Sequence, residues 1–404
     1  MPNRSITPAR SVLPFRSLRS FRPWPTVGAL TACAALVLTS GAVAAPEAAP
    51  TPAPAAAAAA TTCTNASRLA TWSNTRLAML TIAVPVSETS PGQVTTEVAQ
   101  GAGGVLLFGS TAPTNLGSQL AALRGHVPGH LGLLVMTDEE GGGIQRMANL
   151  VGSLPWARTM GTNWTPAQIQ SAVHAVAVRM AAAGVNMDLA PVADVDGRNV
   201  LPSASNPDGV RSFSGSTATV SRDTVAYLNG LRSGGVIPVV KHFPGLGYAS
   251  YNTDDGPAHT LPWSTEQTVA IPPFKAAIAA GAPAVMTSNA SVPGLATNPG
   301  SISPTLISYE LRGKLGFHGL VLTDSLTARA ISAAGWSVPG AAVQALRSGA
   351  DMVLFGLVSN VQAETNAIAS RITSAVASGQ LSRSRLIDAA GHILAARHVN
   401  LCSA

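Results

Sequence analysis

Short apolar runs recur along the chain and alternate with longer mixed stretches. The runs are Met79–Val86, Gly104–Phe108, Leu131–Thr137, Val185–Val195, Val236–Val240, Ala284–Ser288, Leu320–Asp324 and Met352–Phe355. Continuous apolar runs of this length read as strands buried on both faces, the pattern of a parallel sheet. Helix-like stretches fall at Gln168–Ala183, Ser216–Ser233, Thr265–Ala280, Ser303–Leu315 and Gly340–Ser348. Thr165-Pro166, just ahead of the first of these, is an N-cap followed by proline at the first helical position. Eight strand candidates alternating with helices predict a (β/α)8 barrel, a single-domain α/β fold. A doubly wound open sheet is the alternative topology. No Gly-x-Gly-x-x-Gly opens a helix after the first strand, so a dinucleotide site has no support.

The N-terminal 62 residues follow a different pattern. Arg4, Arg10, Arg16, Arg19 and Arg22 precede an apolar segment from Val27 to Leu38, and small residues follow to Ala45. A basic region, a short apolar region and an A-x-A-like site read as a secretory signal over residues 1–45. The apolar segment is short for a membrane span. Leu30-Thr31-Ala32-Cys33 also resembles a bacterial lipobox, which would make Cys33 a lipidated residue. Residues 46–62, rich in Ala, Pro and Thr, read as a linker that cannot bury a core. The folded unit is expected over residues 63–404.

This division changes the charge picture. The chain carries 25 Lys and Arg against 19 Asp and Glu, but five of the Arg lie in residues 1–45. The remainder is nearly neutral and shows no basic patch, which argues against nucleic acid as a partner. Cleavage near Ala44 would leave Cys63 and Cys402, at the two ends of the folded unit. In an oxidising compartment the pair can form a disulfide that ties the termini together. A secreted monomer with no stable membrane span is the expectation.

Chemistry gathers at the C-terminal ends of the strand candidates, where α/β barrels keep it. Asp138-Glu139-Glu140 with Gln145 and Arg146 follow the third run. Asp194 and Asp196 follow the fourth, with Arg211 in the next loop. Lys241-His242 and then Asp254-Asp255 follow the fifth, Asn289 the sixth, and Thr323-Asp324-Ser325 close the seventh. Polar groups converging on one rim predict a pocket for a polar ligand held by many hydrogen bonds. A lysine at the end of a barrel strand also admits a Schiff-base nucleophile at Lys241. Carboxylates are present, but no His pair at ligand spacing joins them, so no metal is expected.

The motifs themselves resemble the glycoside hydrolase family 3 catalytic domain, in particular bacterial β-N-acetylhexosaminidases, over roughly Leu69 to Ala396. Asp138-Glu139-Glu140-Gly141-Gly142-Gly143-Ile144-Gln145-Arg146 resembles the family's D-Q-E-G-G-R-V-Q-R. Asn186 to Val195 is similar to N-x-x-x-A-P-V-x-D-V. Arg211-Ser212-Phe213 matches R-S-F, Lys241 to Gly245 matches K-H-F-P-G, and Thr323-Asp324-Ser325-Leu326 matches (S/T)-D-x-L. The resemblance implies a retaining glycosidase without cofactor, with a carbohydrate substrate built on β-linked N-acetylglucosamine. It gives Asp324 the nucleophile's position and makes Asp138, Arg146, Arg211, Lys241 and His242 sugar ligands. Lys241 and Arg211 would also help keep Asp324 ionised.

The acid/base departs from the pattern. The family's K-H-F-P-G-H-G, four residues, then D-S-H becomes Asn252-Thr253-Asp254 at the same count, and Leu246 replaces the second His. Gly143 replaces an Arg, and Asn289 stands where a His is common. Three readings stay open: Asp254 is itself the acid/base, His259 or Asp255 takes the role, or the protein is a sugar-binding relative with impaired catalysis. An Asp at this point would repel phosphate as an alternative acceptor. The Gly-, Ser- and Asp-rich loop from Gly245 to Pro262 is expected to be mobile.

Overall fold

A computed structural model describes residues 63–403. The expectations for residues 1–45, including Cys33, and for 46–62 lie outside the described residues. Eight parallel strands close into a barrel: β1 Ile82–Ser87, β2 Gly104–Phe108, β3 Leu134–Thr137, β4 Met187–Asp188, β5 Ile237–Phe243, β6 Ala284–Thr287, β7 Leu320–Ser325 and β8 Met352–Leu354. Each pairs with its sequence neighbour, and β8 pairs with β1. The fold is therefore a (β/α)8 barrel, not the open doubly wound alternative. Branched and apolar strand side chains such as Val84, Val105, Val135, Val240, Val285 and Leu322 are fully buried.

Several boundaries differ from the sequence expectation. Met79 and Leu80 end a helix, Asn74–Leu80, rather than begin β1. The long fourth run contributes only Met187–Asp188 to the ladder. The rest is extended chain, bridged to β5 through Val192 and Lys241. The stretch Thr265–Ala280 is two helices, Trp263–Val269 and Ile271–Ala279. Pro272 and Pro273 lack the amide hydrogens a continuous helix needs, so the break falls just before them. Thr305–Lys314 forms a π-helix. Two further helices, Val361–Ala377 and Arg383–Ala396, close the chain after β8.

Below the barrel, at the start of β8, buried Asp351 gathers Arg312 and Arg385, each at 2.6 Å, and His392 at 3.0 Å. It also accepts the Val321 amide at 2.9 Å, so one carboxylate fastens the outer helices to β7. This end of a barrel serves stability.

Cys63 and Cys402 are joined by a disulfide, with Cα atoms 5.9 Å apart across 339 residues of sequence. Asn65 reinforces the junction, donating to the Val399 carbonyl at 2.8 Å and accepting the Leu401 amide at 2.7 Å. Among the described residues no helix is long and apolar enough to cross a membrane. Cys402→Ser should lower the unfolding free energy by about 2–4 kcal/mol, measured by denaturant titration of oxidised protein. An unchanged midpoint would show that the asparagine contacts hold the termini alone.

Candidate active site

The mouth of the barrel holds a pocket of about 270 Å³. Asp138, Arg146, Arg211, Lys241, His242, Asp254 and Asp324 all line it, with Leu246 and Asn252. That volume is at the small end for ligand sites, which run to roughly 300–1,000 Å³. It suits one sugar ring rather than a chain.

Two neighbours on one strand reach this pocket because β5 carries an extra residue. Val240 pairs with Val285 of β6, yet Phe243 pairs with Thr287, so three steps on β5 match two on β6. In a regular strand adjacent side chains point to opposite faces. A bulge re-aims one of them, and here both Lys241 and His242 face the cavity.

Lys241 donates to Asp138 at 2.8 Å and lies 2.7 Å from Glu140. Arg211 grips Glu140 with two parallel bonds, 2.8 and 2.9 Å, the geometry of a bidentate guanidinium–carboxylate pair. Arg146 stands 3.5 Å from Asp138 and 5.8 Å above the Phe108 ring. Burial opposes the charge on each group, but the opposite charges win. Glu140 is held well below the usual glutamate range by Arg211 and Lys241, and Asp138 is lowered chiefly by Lys241. Burial likewise works against the Lys241 ammonium, and Asp138 and Glu140 raise its pKa above the ordinary lysine value. A lysine kept protonated by two carboxylates is a poor nucleophile, which counts against Schiff-base chemistry.

His242 is oriented from below. Its Nδ1 lies 2.7 Å from buried Asp194, which also accepts the His242 and Leu246 amides at 3.1 and 2.8 Å. A carboxylate at Nδ1 keeps the proton there, and Nε2 turns toward Arg211 at 3.4 Å. Glu140 and Asp194 are thus the supports of the cationic wall. Sequence reasoning put both on the rim without assigning them a role, although both lie inside the quoted motifs. Glu139, placed on the rim beside them, is instead buried under it. It binds Gln145 and the Met147 amide, and burial raises its pKa to about 7.

Asp324 ends β7. Its carboxylate accepts the Ser325 amide at 2.7 Å, and its own amide donates to Ser301 Oγ at 3.3 Å. Lys241 and Arg211, expected to help keep Asp324 ionised, are instead paired with Asp138 and Glu140, and among the described residues neither makes an ion pair with Asp324. Asn289 donates to the Ser325 carbonyl at 2.7 Å and so steadies this strand end.

The Gly245–Pro262 loop, expected to be mobile, is tied to two other segments and across itself. Asn252 donates to the Ala204 carbonyl at 2.6 Å, Ala330 donates to the Thr253 carbonyl at 3.0 Å, and Ser250 donates to the His259 carbonyl at 2.9 Å. Gly247 packs against β4's extension, where an added Cβ would sit 2.0 Å from the Val195 oxygen. Asn252 Oδ1 accepts the Asp254 amide at 3.0 Å, forming a short side-chain turn that presents Asp254 at the pocket mouth. Desolvation on the pocket side, then repulsion from Asp324, raises Asp254 to about 6. Asp255 and His259 do not line the pocket, and His259 points its Nδ1 at the Thr260 carbonyl.

The barrel mouth is thus a polar pocket of paired cations and carboxylates, with Asp254 and Asp324 lining it outside those ion pairs. Residues 81–396 match the family model described as glycosyl hydrolase family 3 N terminal domain, and the chain belongs to that family. It is a glycosidase. Beta-hexosaminidase LpqI of Mycobacterium tuberculosis is 32% identical over 293 residues, covering 70% of this chain and 72% of that protein. A family 3 glycosyl hydrolase from Mycobacterium smegmatis shares 31% identity and a TM-score of 0.72, covering 81% of this chain and 98% of that one. A β-N-acetylhexosaminidase from Beutenbergia cavernae gives 29% and 0.73 over 81% and 98%.

Removing the carboxylate that serves both Lys241 and Arg211 leaves two buried cations short of a partner. Glu140→Gln should cost about 3–5 kcal/mol of stability, read from urea unfolding, because breaking a buried pair strands its partners. A loss below about 1 kcal/mol, the scale of exposed pairs, would mean the network is effectively solvated.

Proposed function

We propose that this protein is an exported retaining glycosidase that removes β-linked N-acetylglucosamine from the ends of cell-wall or chitin-derived oligosaccharides. The observation that carries this reading is that Asp254 and Asp324 line one small pocket, near enough for Asp324 to raise the Asp254 pKa. The hexosaminidase names of the relatives support the sugar. The same reading takes residues 1–45 as a cleaved export signal, 46–62 as a linker and 63–404 as the catalytic unit.

In the first step an Asp324 oxygen attacks the anomeric carbon. The bond to the leaving oxygen breaks, and Asp254 gives that oxygen its proton. A glycosyl–aspartate ester remains. In the second step water attacks the same carbon, Asp254 takes the water's proton, and Asp324 departs with its electron pair. Two inversions leave the sugar configuration unchanged. Asp138, Arg146, Arg211, Lys241 and His242 hold the sugar hydroxyls, and charged partners make those bonds strong. Asp254 is the favoured acid/base over Asp255 and His259 because it alone of the three lines the pocket.

Asp324→Asn should abolish hydrolysis of an aryl β-N-acetylglucosaminide while sugar binding, measured by calorimetry, persists. An aryl leaving group needs little protonation, so this assay tests the nucleophile separately from the acid. Turnover at the wild-type rate in that variant would remove Asp324 from the mechanism. Binding with no turnover by the wild type, on any aryl sugar, would favour the sugar-binding alternative.

The pH profile tests Asp254. Its pKa near 6 in the free enzyme means the proton-donating form is present below that pH and lost above it. For a poor leaving group, kcat/KM should therefore fall as pH rises through about 6. Asp254→Asn should remove that limb and spare activated aryl substrates in the first step. A limb that survives the substitution would assign the proton to another group.

A further inference from the structure

Arg146 is the most loosely held cation of the pocket. Its guanidinium lies 3.5 Å from Asp138 and 3.5 Å from the Gly109 carbonyl, the far limit of a hydrogen bond, and its buried Nε has no partner among the described residues. Lys241 and Arg211 are gripped by carboxylates at 2.7 to 2.9 Å. The place of Arg146 is therefore set largely through its backbone.

One buried carboxyl holds that backbone from both sides. Glu139–Gly141 and Ile144–Gln145 form a small antiparallel ribbon that turns the chain back on itself. Arg146 thereby returns to Asp138, its amide donating to the Asp138 carbonyl at 3.1 Å. Glu139, fully buried, accepts the Met147 amide at 2.5 Å on one oxygen and the Gln145 side-chain amide at 2.8 Å on the other. Gln145 and Met147 are the chain neighbours of Arg146. The Gln145 amide is fixed in its orientation, because its oxygen accepts the Leu154 amide at 2.7 Å. Glu139 thus faces two donors. A carboxylate suits both, a protonated acid weakens one of the bonds, and a glutamine sets its own NH2 against one of the donors. The family pattern carries Gln at this position, so the carboxyl is a departure of this chain.

We propose that Glu139 is a positioning residue for sugar binding: its carboxylate, by holding Gln145 and Met147, fixes the approach of Arg146 to the sugar, and a proton on Glu139 loosens it. This rests on the reading of Arg146 as a sugar ligand. The groups around Glu139 are Asp138 and Glu140 beside it in the chain, Asp188 of β4 and Tyr227 of the helix Thr217–Ser233. Asp188 accepts the Glu139 amide at 3.0 Å, and the Tyr227 hydroxyl donates to the Glu139 carbonyl. Glu140 is turned to Arg211 and Lys241, and Lys241 bears on Asp138 and Asp188 in the same layer. Burial, with a smaller push from Asp138, outweighs the hydrogen bonds and brings Glu139 to about 7. The carboxylate is present above that pH and is lost below it, so sugar affinity weakens on the acid side. The sign is opposite to that of Asp254, which acts in its protonated form.

The test is calorimetric binding of N-acetylglucosamine between about pH 5 and about pH 8.5, which reads affinity without chemistry. Wild-type affinity should fall about fivefold as pH drops through about 7, as the weakening of one charge-assisted contact predicts. Glu139→Gln should show no such limb and should bind at every pH as weakly as the wild type does in acid. The exchange Glu139→Gln with Gln145→Glu moves the carboxylate along the same chain of bonds. It now accepts the Leu154 amide, while the amide at 139 accepts from Met147 and donates onward, so affinity near neutral pH should return to the wild-type value. On an aryl β-N-acetylglucosaminide, kcat should stay within about twofold in all three proteins, because the reacting groups are untouched. A flat wild-type profile overturns the inference, and so does a limb that survives Glu139→Gln. A fall in kcat as large as the fall in affinity, unrescued by the exchange, reduces Glu139 to a structural part and overturns it too. A wild type that binds no N-acetylglucosamine at any pH removes the sugar reading itself, and the inference with it.

Discussion

Glu140 sits between Lys241 and Arg211, and the mouth of the barrel is organised by that arrangement. Moving an ion out of water costs several kcal/mol even after relaxation, so buried cations persist only beside well-placed anions. Three strand ends supply the parts: Asp138 and Glu140 follow β3, Arg211 lies in the loop after β4, and Lys241 is on β5. The barrel brings these segments together, and the charges then lock the loops that carry them. The result is a set of charged groups held in place by their own pairing, so the pocket is organised before anything enters it.

Asp254 and Asp324 stand outside this network. Among the described residues neither takes part in an ion pair, and both line the pocket. Burial first, and then repulsion from Asp324, outweigh the opposing pull of Arg211 and His242 and move Asp254 toward the protonated form. Asn252, whose Oδ1 accepts the Asp254 amide, stands where the family pattern has an Asp, and Asp254 leaves a carboxyl at the pocket.

The eight strands were legible because barrel strands are buried on both faces and spell out as apolar runs. The site residues were legible because a parallel barrel puts every strand's C-terminal end on the same rim, so that chemistry marks itself by position in the sequence. Helix ends were less so: Met79 and Leu80 are apolar whether they close a helix or begin a strand. What only the tertiary structure decided were the partners. Nothing local distinguishes Glu140, which binds two cations, from Glu139, which is buried beneath the rim, since the two differ by one step along the same short strand. The pairing of Lys241 with Asp138 and Glu140 rather than with Asp324 follows from distances across the barrel, and the inward turn of both Lys241 and His242 follows from an extra residue in the β5 ladder. Charge pairing acts through space over a few ångströms, whereas sequence order constrains only chain neighbours, so residues 103 apart in sequence met only when the barrel closed.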